Sequence, residues 1–492
     1  MWVEIVLLFV LVLVYAVLRD RRPRTLPPAG PVEIPFFGRL PILDEESAER
    51  LRKKYGDIVS YRTGPIRTVF LFDYDTAKEA MAKVEFSNRP DFFSSFSVDD
   101  QKIGGVLSSN GVHWQHDRRF VLRNLRNLGM GKSYLEEAIN TEAMALVEDL
   151  KKSGGEAINF PDSFRTVALN IIWQMVASTR YDLRSSEVET IYRLTKGFQD
   201  DFSAIAFLPF FFPALNRLPV PIRNLILGED KFGQLLEEMK KVINDVVDKH
   251  LEDYDPDNPR DLIDEYIKDM KDSEGDNNSL FRKGALNQIV NDLFFAGSDT
   301  VNQMLKWMAF LLARYPEYAT RMQQQIDAVV PRDRMVSLDD KPNLPLVEAF
   351  TVEALRYSSM VILNVERTAT RDTNFKGYLI PKGTTVQVCN YSVHYDPRYW
   401  DDPHKFYPER FLDESETKYT APKKGLFAFG SGRRQCVGEL LARMELFLFT
   451  AALIQHFDVR PPHGVDITKT AIVNLGGIRA PADDKLIYQP RN

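Results

Sequence analysis

The decapeptide FGSGRRQCVG, residues 429–438, holds one of only two cysteines in 492 residues, and its reading decides the fold. Three glycines and two arginines crowd around Cys436. A buried core thiol has no need of Gly430, Gly432 and Gly438 beside it. A disulfide has only Cys389 as partner, in an apolar, strand-like stretch. A zinc site needs further Cys or His close by, and there are none. A single thiolate ligand to a haem iron makes sense of the surroundings. CVGELLARMELFLFTAALI opens a helical pattern directly at Cys436, and donors near a helix start stabilise a thiolate. Gly432 allows a tight turn, Gly438 lets the helix run close beneath a flat macrocycle, and Arg434 is spaced to reach a haem carboxylate.

The rest of the composition is compatible with one large, mainly helical body. Hydrophobic residues make up 44% and aromatics 11%, enough for a sizeable core. The net charge of −6 argues against a nucleic-acid partner, which calls for a basic field. Two cysteines suit a reducing compartment. From about 113 to 330 the pattern is helical, with amphipathic stretches such as QLLEEMKKVINDVVDKHLEDY (234–254). DIVSYRTG, TVFLFDY and FKGYLIPKGTTVQVCN (375–390) have strand character, and the tail after 455 reads as turns and short strands. The polar stretch 255–279 reads as a surface loop with a helix inside it. The fold class is mainly α with a small β part.

The N-terminus differs in kind. Ile5 to Leu18 is wholly apolar and spans roughly 21 Å as a helix, short of the roughly 30 Å hydrocarbon core. Trp2, Val3 and a tilted or thinned bilayer make up the rest. Arg19, Arg21, Arg22 and Arg24 follow at once, which keeps the remaining chain cytoplasmic. Basic residues after the apolar run, with no small-residue cleavage pattern, favour an uncleaved single transmembrane helix over a signal peptide. The expected organisation is a membrane anchor over 1–20, a basic and Pro-rich linker over 21–38 and a catalytic domain over 39–492. A second apolar segment, 202–228, is broken by Pro209, Pro213, Pro219 and Pro221; it reads either as a core loop or as a lip dipping into the membrane surface.

The decapeptide resembles the cysteine-ligand loop of the cytochrome P450 family, Phe-x-x-Gly-x-Arg-x-Cys-x-Gly, at every fixed position. Three further motifs occur in that family's order. Glu353-Ala354-Leu355-Arg356 is similar to its Glu-x-x-Arg helix, and Pro408-Glu409-Arg410-Phe411 supplies the second arginine of a buried structural network of Glu353, Arg356 and Arg410. Ala296-Gly297-Ser298-Asp299-Thr300 is similar to the oxygen-activating segment. There Ala296 and Gly297 leave room for dioxygen, and Asp299 and Thr300 are the catalytic proton-relay pair. Trp114-Gln115-His116-Asp117-Arg118 resembles the Trp-x-x-x-Arg that meets haem propionates. Arg367 lies where another propionate contact is usual, although Glu366 replaces the customary apolar or proline neighbour. Val301 departs from the pattern too, since a hydroxyl residue often follows the threonine. The resemblance covers about residues 25–490 and is strongest to animal microsomal members of the family-2 kind.

It implies the cytochrome P450 fold and a haem b cofactor. Cys436 is then the iron's axial ligand, and Trp114, Arg118, Ala296, Gly297, Arg367, Phe429, Arg434 and Gly438 border the macrocycle. It implies a monooxygenase in the endoplasmic reticulum membrane, its catalytic domain facing the cytosol. Such an enzyme inserts one atom of O2 into a lipophilic small molecule by hydroxylation or epoxidation, with electrons from NADPH. The implied electron partners are NADPH–cytochrome P450 reductase and cytochrome b5. Arg119, Arg123, Arg126, Lys132, Lys423, Lys424 and Arg433 form a candidate basic face for an acidic reductase. Candidate pocket residues are Phe294, Phe295, Val361, Ile362, Leu363, Val473 and Leu475, with Asn364 and Asn474 as polar anchors. Two rival readings are a haem-thiolate isomerase or dehydratase that needs no reductase, and a non-enzymatic membrane-tethered haem protein.

Overall fold

The computed structural model describes residues 26–27, 44–127, 133–201, 215, 217–227, 229–422, 424–475, 477–482 and 485–491. The expected anchor, and the linker apart from Leu26 and Pro27, lie outside these, as does most of 202–228. No helix among the described residues is long and apolar enough to cross a membrane.

The described helices are α1 (Glu45–Tyr55), α2 (Tyr74–Ala82), α3 (Gly111–Asn127), α4 (Ser133–Lys151), α5 (Ser163–Ala177), α6 (Ser186–Asp201) and α7 (Val220–Leu227). They continue with α8 (Glu229–Glu252), α9 (Leu262–Asp272), α10 (Lys283–Arg314), α11 (Pro316–Val329), α12 (Pro345–Ser358), α13 (Asn390–His394) and α14 (Glu439–His456). Their starts follow local chemistry. Asp44 and Asp73 cap α1 and α2 by accepting the N–H of Ser47 and Thr76. Pro316 and Pro345 open α11 and α12, where a missing N–H costs nothing.

Two helices, α10 and α14, are apolar on most faces, the pattern of a helix buried all round. They pack together in the main core with α4, α5 and α12. Helix α10 runs about 48 Å and therefore reaches from one side of the core to the other. The polar stretch 255–279 does contain a helix, α9. Its Leu262, Ile263, Tyr266 and Ile267 are nonetheless fully buried, so it is a core element and not a surface appendage.

The β part is small, as the sequence leads one to expect. Strands β1 (Ile58–Thr63) and β2 (Ile66–Leu71) form a hairpin whose two-residue turn begins at Gly64, φ 56°, a conformation glycine takes without strain. Strand β2 pairs in parallel with β7 (Thr385–Val388), which pairs antiparallel with β4 (Arg367–Thr368). The other described strands are β3 (Ala157–Ile158), β8 (Phe457–Arg460) and β11 (Leu486–Pro490), which share a sheet in the order β3-β11-β8, the pair β5 (Thr373–Phe375) and β6 (Tyr378–Ile380), and the tail hairpin β9 (Ile472–Leu475) and β10 (Ile478–Pro481). This arrangement sets Arg367 on a sheet strand facing the loop that carries Cys436.

Candidate functional site

The loop before α14 is folded tightly on itself. The Gly430 N–H donates to the Phe427 carbonyl at 2.9 Å, the Gln435 N–H to Gly432 at 3.0 Å and the Cys436 N–H to Phe429 at 3.0 Å. Gly432 sits at φ 72°, and a Cβ there would collide with the Met81 carbonyl oxygen at the end of α2, so only glycine fits. A Cβ on Gly438 would meet nothing within 4 Å, so open space lies beside this position. The Cys436 side chain is exposed at the edge of this loop. Surrounding protein pushes its thiol up by desolvation, the Gly438 N–H and Arg118 pull it down, and Glu439 adds to the upward push.

Four arginines gather against the loop. Arg434, 8% exposed, donates to the carbonyls of Ser87 (2.9 Å) and Ser109 (2.6 Å), and its guanidinium lies 3.9 Å from the centre of the Trp114 ring. Arg118 donates to the Gln435 carbonyl at 2.6 Å, and Arg367 to Ser431 at 3.0 Å. The fourth, Arg89, was not singled out in the sequence; it donates to Leu107, Val365 and Glu366 carbonyls at 2.7–3.0 Å. All of these partners are neutral carbonyls. Burial together with mutual repulsion pushes Arg434 down to about 7, Arg367 to about 9 and Arg89 to about 10. The carboxyls within range, Glu366 and Asp292, are themselves pushed up by burial, Asp292 to about 6. Trp114 Nε1 and Arg367 Nε are buried with no acceptor among the described residues. Surplus positive charge with orphaned donors is a site built for an anionic group, and the two carboxylates of haem meet that need.

The Glu353 network is linked to the loop through His394, whose carbonyl accepts from Arg356 and whose ring accepts from the Phe427 N–H. Arg356 and Glu353 are both fully buried and form a two-pronged pair, each bond 2.7 Å. The shared Glu353 Oε1 also accepts from Arg410 Nε at 3.2 Å and the Tyr407 N–H at 2.9 Å. The remaining Arg356 hydrogens go to the carbonyls of His394 (2.9 Å), Pro403 (2.8 Å) and Lys405 (3.2 Å). The i, i+3 spacing on α12 brings the pair together.

Across the site, α10 presents Thr300 to a cavity it shares with Val301, Met304, Met360, Val361 and Phe429. The Thr300 hydroxyl donates to the Ala296 carbonyl at 2.6 Å, and Ala296 is exposed on the helix. Other expectations need correction. Gly297 faces α5, where a Cβ would press on Ile172 at 3.0 Å; its smallness serves helix packing. Asp299 also turns toward α5, 4.0 Å from the Arg165 guanidinium, which stacks on Tyr192 of α6. Phe294 is fully buried against Trp173 and Phe295, and Ile362 is buried in the small core beside β1 and β2, so both side chains serve core packing. Leu363 packs on that same small core. Phe295 packs half-buried on the main core, Val361 lines the cavity, Val473 is half-buried on β9, and the Leu475 side chain lies outside the described residues. The Asn364 amide oxygen is occupied by the Val388 N–H (2.7 Å) and that of Asn474 by the Gly477 N–H (2.7 Å). Both amide oxygens accept from the backbone, and the Asn364 amide nitrogen donates to the Met81 sulfur at 3.7 Å.

The family model for cytochrome P450 matches residues 28–486. The chain belongs to the cytochrome P450 family. Among similar curated proteins, cytochrome P450 2L1 of Panulirus argus is 39% identical over 451 residues, covering 91% of each chain. Cytochrome P450 2F3 of Capra hircus is 35% identical, covering 92% of each, and cytochrome P450 2B2 of Rattus norvegicus is 34% identical, covering 90% of each. P450 proteins are haem-containing monooxygenases with small-molecule substrates and redox partners, and this chain is such an enzyme.

Several residues around the P450 site escaped the sequence reading. Asp292 accepts the N–H groups of Val106 (2.7 Å) and Leu107 (2.8 Å), tying that loop to α10. Arg165, Asp292 and Arg89 share one usable signal, a charge set within an otherwise apolar or proline-flanked stretch, where burial demands a partner.

Proposed function

We propose that this P450 is a haem-thiolate monooxygenase of the endoplasmic reticulum, held by residues 1–20 with its catalytic body in the cytosol. It inserts one oxygen atom of O2 into a lipophilic molecule, with electrons passed from NADPH by cytochrome P450 reductase and also by cytochrome b5. The observation that carries the reading is the junction of the Cys436 loop with Arg118, Arg367, Arg434 and Arg89. Two of these donate directly to carbonyls of that loop. Haem, when bound, supplies the redox centre at which dioxygen is activated.

In this reading Cys436 supplies its sulfur as thiolate, and the arginine set with Trp114 holds the propionates. Phe429 and Gly438, on the loop with Cys436, would pack against the bound haem, and the small side chain of Ala296 on α10 would leave it room. The Thr300 oxygen accepts or passes a proton at the cavity, while Asp299 holds a carboxylate behind it on the α5 side. A groove lined by Arg118, Arg119, Arg123, Arg126 and Arg433 supports docking of an acidic electron donor. Arg123 is partly neutralised by Asp269 (2.5 Å), and Lys424 is engaged by Asp75 (2.7 Å). Lys132 and Lys423 lie outside the described residues. Exposed Val220, Ile222 and Leu225 on α7 support lipid contact by the 202–228 segment.

The reading is tested by titrating lipophilic compounds for a spin-state shift, then assaying product with NADPH and reductase. NADPH-independent turnover would replace it with the isomerase reading. With a compound that shifts the spin state, Thr300→Ala is expected to lower product per NADPH about ten-fold and to raise peroxide. That is less than the hundred-fold or more of a fully lost proton-transfer group, because water can stand in for the hydroxyl. Arg434→Leu removes buried charge-assisted bonds and is expected to speed haem transfer to apomyoglobin on the order of ten- to a hundred-fold.

A further inference from the structure

His394, the last residue of α13, is 1% exposed and joined at both ring nitrogens. The Phe427 N–H donates to Nε2 at 2.9 Å. A peptide N–H can only donate, so Nε2 carries a lone pair and the ring proton sits on Nδ1. Nδ1 faces Ser359 Oγ at 3.0 Å. Burial, with Arg356 and Arg479 nearby, pushes this imidazole down to about 3, in keeping with the neutral form.

The two ends of this ring touch different parts of the site. Ser359, at φ 37°, is the left-handed residue that terminates α12, the helix bearing Glu353 and Arg356. Phe427 begins the turn from which the Cys436 loop hangs. Its carbonyl accepts from Gly430, and two residues on the Phe429 carbonyl accepts from Cys436. The His394 backbone carbonyl in turn accepts from Arg356 Nη1 at 2.9 Å. One residue thus links the buried network, through its main chain, to the loop, through its side chain.

We propose that His394 is a positioning residue: a neutral two-ended strut that fixes the Cys436 loop against the end of α12 and so holds the sulfur where an axial ligand is needed. The inference rests on the haem-thiolate reading above. Phe427 is buried, so removing the acceptor strands its N–H, which shifts an equilibrium roughly five- to a hundred-fold.

The experiment compares full-length, haem-loaded wild type, His394→Leu and His394→Gln. One readout is the rate at which the reduced, carbon monoxide-bound protein passes from its thiolate to its neutral-thiol Soret band. The other is amide exchange over residues 425–436, with and without haem. His394→Leu is expected to convert roughly ten-fold faster and to exchange faster at Phe427. In His394→Gln the amide oxygen accepts the same N–H, and conversion is expected within about two-fold of wild type. Ser359→Ala removes the Nδ1 partner with the ring in place and is expected to move both readouts in the leucine direction, by a smaller factor. It decides the matter if His394→Leu does not fold. Wild-type conversion and exchange in His394→Leu, glutamine behaving like leucine, or no effect of Ser359→Ala would each overturn the proposal. A wild type lacking any thiolate band would instead overturn the haem-thiolate reading itself.

Discussion

Arg356→Ala is expected to abolish accumulation of folded, haem-loaded protein. Arg356 is fully buried, and its guanidinium is satisfied by Glu353 and by the carbonyls of His394, Pro403 and Lys405. Removing it strands the Glu353 carboxylate in the core, with only Arg410 and the Tyr407 N–H remaining. Breaking a buried pair from one side costs about 3–5 kcal/mol. Total stability is only about 5–15 kcal/mol. The loss also frees the carbonyls of Pro403, Lys405 and His394, so the His394 link to the Cys436 loop loosens with it. Arg356→Lys is expected to fare little better, because one ammonium cannot reproduce a planar fork that meets two carboxylate oxygens and three carbonyls. Soluble yield, haem content and the guanidinium chloride midpoint measure the effect. A midpoint and haem content equal to wild type in Arg356→Ala would show that the network does not support the fold.

Much of the site was legible in the sequence because its parts are local. The Cys436 loop declares itself through glycines at fixed offsets, and Gly432 proves to be pressed against the Met81 carbonyl. Glu353 and Arg356 share a helical face, so their pairing follows from spacing alone. The partners of single charges were less legible. Arg89 meets carbonyls 18 and 276–277 residues away, contacts that no local pattern encodes. Orientation around α10 is not legible in the sequence, for a physical reason. This helix is buried on most faces, so periodicity cannot tell which side meets α5 and which meets the cavity. Gly297 and Asp299 therefore turned out to face α5, and Phe294 belongs to the core. Apolarity alone cannot assign Ile362 to a pocket, because apolar residues near a site serve core and cavity equally well, and Ile362 lies in the small core. The amide oxygens of the expected polar anchors Asn364 and Asn474 accept backbone N–H groups, an ordinary employment of a buried or turn asparagine.

The second large effect concerns the sulfur. Without a metal, desolvation by the protein packed around the loop holds the Cys436 thiol up although the side chain reaches the surface, so the neutral form is favoured. As an iron ligand Cys436 would be held as the thiolate, because a coordinating thiol is deprotonated. Cys389 offers no substitute: it is fully buried, is in contact with the Ser392 hydroxyl at 3.3 Å, and has its thiol pushed up by desolvation. Cys436→Ala is therefore expected to lose the thiolate ligand entirely, whereas Cys389→Ala keeps it. The most direct measurement is the carbon monoxide difference spectrum of the purified, reduced protein. The expected result is a red-shifted Soret band of thiolate ligation in wild type and Cys389→Ala, and none in Cys436→Ala. Persistence of that band in Cys436→Ala, or its absence from haem-loaded wild type, would contradict the assignment of Cys436 as the iron's ligand.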